Sequence, residues 1–116
     1  MSSKNCCFFI GNLGDAPEYD DTKGAINKKT NKPSGLATFS IAVDRKDMGK
    51  DETDWFDIEC WGGLAETCAE YLKKGSKVSV MCRVRKDSWK DNETGGNRSK
   101  IAFTAKDVQF LSSKTD

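Results

Sequence analysis

The chain has 116 residues, 36% of them hydrophobic and 32% charged, with a net charge of +1; this suits one globular domain and leaves little room for a two-domain enzyme. It contains no histidine, which excludes a Ser-His-Asp or Cys-His nucleophile system and any histidine-bearing metal site. The five cysteines, Cys6, Cys7, Cys60, Cys68 and Cys82, are odd in number and form no C-x-x-C, so reduced thiols in a cytosol are expected, with no disulfide, zinc or other cofactor.

Taken in chain order, "NCCFFIGNLG" reads as a buried strand ending at Gly11 or Gly14. The apolar part is far too short for a signal peptide or a membrane span. Residues 14–35 read as a long polar loop with turn-rich "GDAPEYDD" and "KKTNKPSG". "LATFSIAVD" alternates, with Ala37, Phe39, Ile41 and Val43 on one side, and predicts a half-buried strand. "RKDMGKDET" reads as a polar hairpin tip. A further strand follows over residues 54–61 in "DWFDIECWGG". "GLAETCAEYLKKG" places Leu64, Cys68, Tyr71 and Leu72 on one helical stripe, with Gly75 as the stop. "KVSVMCRVRKDSW" turns Val78, Val80, Cys82 and Val84 inward and Arg83, Arg85, Asp87 and Trp89 outward. "KDNETGGNR" is a second hairpin tip and "KIAFTAKDVQFL" the closing strand. The predicted fold is all-β: a five-stranded OB-fold, or Greek-key barrel, with one short α-helix between its third and fourth strands.

The tryptophans carry the functional signal. Trp55 and Trp61 share the polar side of one strand with Asp57 and Glu59, while Phe56, Ile58 and Cys60 face the core. Trp89 has the same outward parity as Arg83 and Arg85. Any one of these rings could be there for packing alone. Three on outward parity beside cations instead suit single-stranded nucleic acid, because every base offers a π-face to stack and cations neutralise phosphates. Residues 73–100 hold nine Lys or Arg against Asp87, Asp91 and Glu93, an excess that suits a polyanion. Lys28, Lys29 and Lys32 read as a solvated loop and Met81 as a surface or subunit contact. Asp57 and Glu59 are expected to pair with cations such as Arg83 or Arg85 rather than act as catalytic acids. No enzyme activity is expected.

"IGNLGDAPE", "ATFSIAV", "WFDIECWGGLAETCAEYLKKGSKVSV", "VRKDSWKD" and "VQFL" together resemble the bacterial single-stranded DNA-binding proteins of the SSB type, over residues 5–111. The resemblance implies an OB-fold domain over residues 1–111 that forms a homotetramer, or a homodimer, through the strand of residues 5–13. It implies sequence-independent binding of single-stranded DNA in replication, recombination and repair, in the bacterial cytoplasm. Trp55, Trp61 and Trp89 match the family's base-stacking positions. Lys73, Lys74, Arg85 and Arg98 match basic positions of its DNA path, beside Arg83 from the charge pattern. Phe56 stands where some members carry a histidine at the subunit contact. The loop over residues 20–35 is longer than usual. The family usually ends in a long tail with an acidic tip that recruits replication and repair proteins; here "SSKTD" is expected to be a short disordered remnant over residues 112–116. The alternative reading is an OB-fold protein-interaction module, a primosome-like accessory factor with weak nucleic-acid binding.

Overall fold

The computed structural model describes residues 4–111; the expected C-terminal remnant at 112–116 lies outside the described residues. Five long strands and one helix build a closed barrel. They are β1 (Cys7–Leu13), β5 (Leu36–Asp47), β6 (Lys50–Trp61), α1 (Gly63–Tyr71), β7 (Lys77–Lys90) and β8 (Asn97–Phe110). Three short strands, β2 (Glu18–Asp20), β3 (Ile26–Asn27) and β4 (Lys32–Pro33), lie between β1 and β5. The sheet runs β1-β7-β8-β6-β5 and closes where β5 meets β1 again, at Asn12↔Ala42 and Leu13↔Ile41. Only the β6–β8 contact is parallel. This is the expected OB-fold order, with α1 between the third and fourth barrel strands.

The alternation read from the sequence fills the barrel. Ala37, Ile41, Ile58, Cys60, Val78 and Val80 are at most 1% exposed; each Val or Ile so buried contributes about 1.5–3 kcal/mol relative to exposure. Phe9, Phe56 and Phe103 pack as a three-ring cluster, Phe9 stacked on Phe56 at 4.4 Å and Phe103 edge-on to both. Phe56 therefore belongs to the barrel filling rather than standing free for a subunit contact. Gly11 marks the closure: a Cβ there would run into the Ala42 carbonyl, so the approach of β1 to β5 needs glycine.

Four expectations are corrected. First, β1 is buried on one face only: Phe8 is 70% and Ile10 57% exposed. The apolar run concealed this, because both faces of the strand are apolar and only one meets the barrel. Second, the long loop contains structure: β2 pairs with β5, and β3 with β4. Its turns rest on side-chain caps, Asp20 accepting from the Thr22 amide at 2.9 Å and Asn27 from the Lys29 amide at 2.8 Å. Third, most of "RKDMGKDET" is strand. β5 and β6 stay paired out to Asp47↔Lys50, and the turn is Met48–Gly49 alone, both at positive φ of 49° and 82°. Polar cross-strand contacts hold this arm, including Arg45 to Asp54 at 2.7 Å and Thr53 to Asp44 at 3.0 Å. Fourth, α1 ends at Tyr71, four residues before Gly75. Leu72 is already extended, its amide donating to the Cys68 carbonyl, and it turns into the core. Tyr71 is left outside at 61% exposure, against Phe110.

The cysteines divide as expected. Cys60, Cys68 and Cys82 are buried and unbridged. The Cys60 and Cys68 sulfurs lie 4.0 Å apart; this contact, and then burial, pushes the Cys60 thiol up, so it remains protonated at neutral pH.

Candidate nucleic-acid interface

β6 displays its two tryptophans as the parity predicts. Trp55 is 59% and Trp61 38% exposed. Their opposite numbers on β5 are Ala42 and Leu36, with Ser40 and Thr38 between, opposite Asp57 and Glu59. Mostly small neighbours let the rings stand above the sheet. Six residues of strand separate the two rings by about 20 Å. Trp55 rests on Gly14, where a Cβ would come within 2.5 Å of the ring; its placement depends on that glycine. Trp61 is the more engaged in packing. Trp89, 48% exposed, stands on β7 opposite Arg98.

Between these strands a groove of about 670 Å³ opens beside Trp55. It exists because β6 pairs with β8 only at Ile58 and Glu59. Beyond that point the β5–β6 and β7–β8 hairpins diverge as two arms. The arms differ in charge. Residues 44–54 hold three cations and five carboxylates, and residues 85–100 five cations and three carboxylates. The β7–β8 arm is therefore the one that suits a phosphate chain.

The expected cations fall into two groups. Arg85 is anchored: it donates to Glu59 at 2.8 Å, to Asp87 at 2.8 and 3.1 Å, and to Thr104 at 3.3 Å. Hydrogen bonds to Asp87 and then Glu59 raise its pKa further above the ordinary arginine value, and Arg85 in turn holds Asp87 below the usual carboxylate range. The expected pairing of Glu59 with a nearby arginine is thus present, whereas Asp57 takes the Ser40 hydroxyl at 2.5 Å instead. Arg98 is held by Asp91 at 2.9 Å. The amides of Glu93 and Thr94, and then Arg98, keep Asp91 acidic. Arg83 is exposed on the same outward side of β7, opposite Thr104, and none of the recorded ion pairs engages it. Lys73 and Lys74 are exposed but stand apart from the groove, around a shallow hollow shared with Tyr71 and Phe110.

Two basic features escaped the sequence reading. Lys100 lines the groove itself. Its outward parity with Ala102 and Thr104 was a usable signal, hidden by reading residues 100–111 as apolar closure. Residues 22–34 hold four lysines and no carboxylate, and the β3–β4 hairpin orders them. That hairpin is tied near Trp61, since the Gly62 amide donates to the Gly35 carbonyl at 3.0 Å and Leu36 lies opposite Trp61. Among the described residues no His/Cys/Asp/Glu group could hold a metal ion, and no helix is long and apolar enough to cross a membrane.

Known proteins share this arrangement. A solved structure described as "Plasmodium falciparum SSB complex with ssDNA" superposes with a TM-score of 0.75, covering 97% of this chain and 98% of that one at 24% sequence identity, a likeness of fold. "Single-stranded DNA-binding protein 1" of Synechocystis sp. is 34% identical over 115 residues, 98% of this chain and 88% of the relative. "Single-stranded DNA-binding protein 1" of Xylella fastidiosa is 35% identical over 117 residues, covering all of this chain and 83% of the relative. Residues 4–111 match the Single-strand binding protein family. The chain belongs to that family, whose members bind rather than catalyse.

Proposed function

We propose that this protein coats and protects single-stranded DNA, without reading a particular sequence, in DNA replication, recombination and repair. The observation that carries the reading is the outward placement of Trp55, Trp61 and Trp89, each 38–59% exposed beside the groove and arms. Bases stack on these rings, each stack contributing about 1–3 kcal/mol. Arg83 and Lys100 hold phosphates along the tryptophan face, and Lys73 and Lys74 extend the path past α1. Arg85 and Arg98 act more as fixed struts, because carboxylates already offset their charge. The working unit is a homotetramer assembled through β1, whose exposed Phe8 and Ile10 lie opposite Met81 and Ser79 of β7. The buried reduced thiols suit the cytoplasm of a bacterium.

Alanine variants test the reading. Trp55→Ala and Trp89→Ala should each weaken binding of a dT oligonucleotide by about 1–3 kcal/mol. Trp89→Ala, on a projecting arm, should leave the melting temperature near that of the parent. Trp61→Ala should lower both affinity and melting temperature, because that ring is the most buried of the three. Unchanged affinity in all three variants would remove the basis for the reading.

A further inference from the structure

The groove beside Trp55 is acidic. Its charged lining is Asp15, Glu18, Asp57 and Glu59 against Lys100 alone. A phosphate chain has no reason to enter it, yet it opens next to the most exposed stacking ring of the face. The two carboxylates between the rings are also held in place. Asp57 accepts the Ser40 hydroxyl through Oδ1 at 2.5 Å. Glu59 accepts Arg85 at 2.8 Å and Thr104 at 3.0 Å, both through Oε1. No donor among the described residues is recorded on Asp57 Oδ2 or Glu59 Oε2. Each carboxylate is thus fixed by one oxygen and offers the other, on a face where a stacked base would present its edge.

Ionised carboxylates only accept hydrogen bonds. Base edges differ in what they give. Cytosine N4, adenine N6 and guanine N1 and N2 donate, whereas thymine and uracil place carbonyl oxygens on either side of a single N3–H. Asp and Glu accordingly accept from cytosine N4 and are repelled by a carbonyl in the same place.

We propose that Asp57 and Glu59 are base-selecting acceptors that bias this protein towards amino-bearing bases, cytosine, adenine and guanine, over thymine and uracil. This rests on the reading of the tryptophan face as a single-stranded DNA platform and refines it: stacking accepts any base, and the two carboxylates grade the bases that stack. The bias concerns composition, not a sequence motif. Phosphates stay at the rim, on the β7–β8 arm, and the bases point into the groove.

Oligo(dC) and oligo(dU) of equal length isolate the difference, since neither carries the thymine methyl and they differ at position 4. Measured by fluorescence anisotropy at one salt concentration and pH 8, the parent protein should bind oligo(dC) about three- to tenfold more tightly. The Asp57→Asn/Glu59→Gln variant should bring the ratio close to one, because an amide both donates and accepts. Asp57→Asn alone, which can still accept from Ser40, should lower the ratio part of the way and guards against loss of the Arg85 network in the double variant. Equal binding of both oligomers by the parent, or tighter binding of oligo(dU), would overturn the inference while leaving the DNA platform intact. A dC preference that survives in both variants would also overturn it. Binding to neither oligomer would overturn the platform reading and this inference with it.

Discussion

Arg85 and Arg83 are neighbours on one side of the same strand and should behave oppositely. Arg85 is bonded to Glu59 and Asp87, so little of its charge is left to exchange with a phosphate. Arg83 is exposed and outside every recorded ion pair. Each phosphate neutralised on a single strand adds about 0.7 to the slope of log affinity against log salt concentration. Arg83→Ala should therefore lower that slope by roughly 0.7, and Arg85→Ala by much less. The measurement is a set of oligo(dT) titrations between low and moderate salt. A larger slope loss for Arg85→Ala would mean that DNA pulls this guanidinium away from its carboxylates. At this scale much was legible: strand parity placed Trp55, Trp61, Trp89 and Arg83 on one outward face, and proximity suggested the Glu59–Arg85 pair. The Ser40–Asp57 bond was not legible, because it depends on the register of β5 against β6, which no single-strand pattern contains. Tyr71 was misread for a similar reason. The helical stripe assumed that the helix continued to Gly75, and the chain leaves it at Tyr71.

At the scale of elements, the β5–β6 hairpin shows what periodicity reveals and what it misses. Ala37 to Val43 alternate because one face meets the core. Beyond them the strands continue as an arm with no core to face, so selection for alternation disappears and the segment reads as a loop. Its tip is unusual in composition. A two-residue turn with both residues at positive φ favours Asn-Gly, but here Met48 is the first of the pair, 97% exposed. A side chain other than Gly, Asn or Asp in the left-handed region costs about 1–2 kcal/mol. Met48→Asn should therefore stabilise the protein by up to about 1 kcal/mol, read as a melting temperature higher by a few degrees. An unchanged or lower value would mean that the arm is already frayed at its tip and that the turn contributes nothing. The β2, β3 and β4 strands were illegible for a different reason. At two or three residues each they are too short to show any period, and their geometry comes from side-chain caps and from pairing with distant β5.

At the scale of the whole molecule, the described residues have a radius of gyration of 16.4 Å, against about 13 Å for a compact chain of this length. The difference follows from the two diverging arms, which hold the groove open and give the tryptophan face its reach. The other exposed feature is β1. From Cys7 to Gly11 it pairs only with β7, leaving its second edge open beside outward Phe8 and Ile10. An open edge with exposed apolar side chains needs a cover, and a second copy of β1 supplies one. Phe8→Ser/Ile10→Ser should reduce the mass measured by light scattering from that of a tetramer towards smaller species, with the circular dichroism of the barrel retained. An unchanged mass would move the subunit contact elsewhere. The central claim is that bases stack on the three tryptophans, and intrinsic tryptophan fluorescence during titration with oligo(dT) tests it most directly. The account predicts strong saturable quenching, with a midpoint that moves to higher oligonucleotide concentration as salt is raised. Fluorescence that stays constant through the titration, or quenching indifferent to salt, would contradict it.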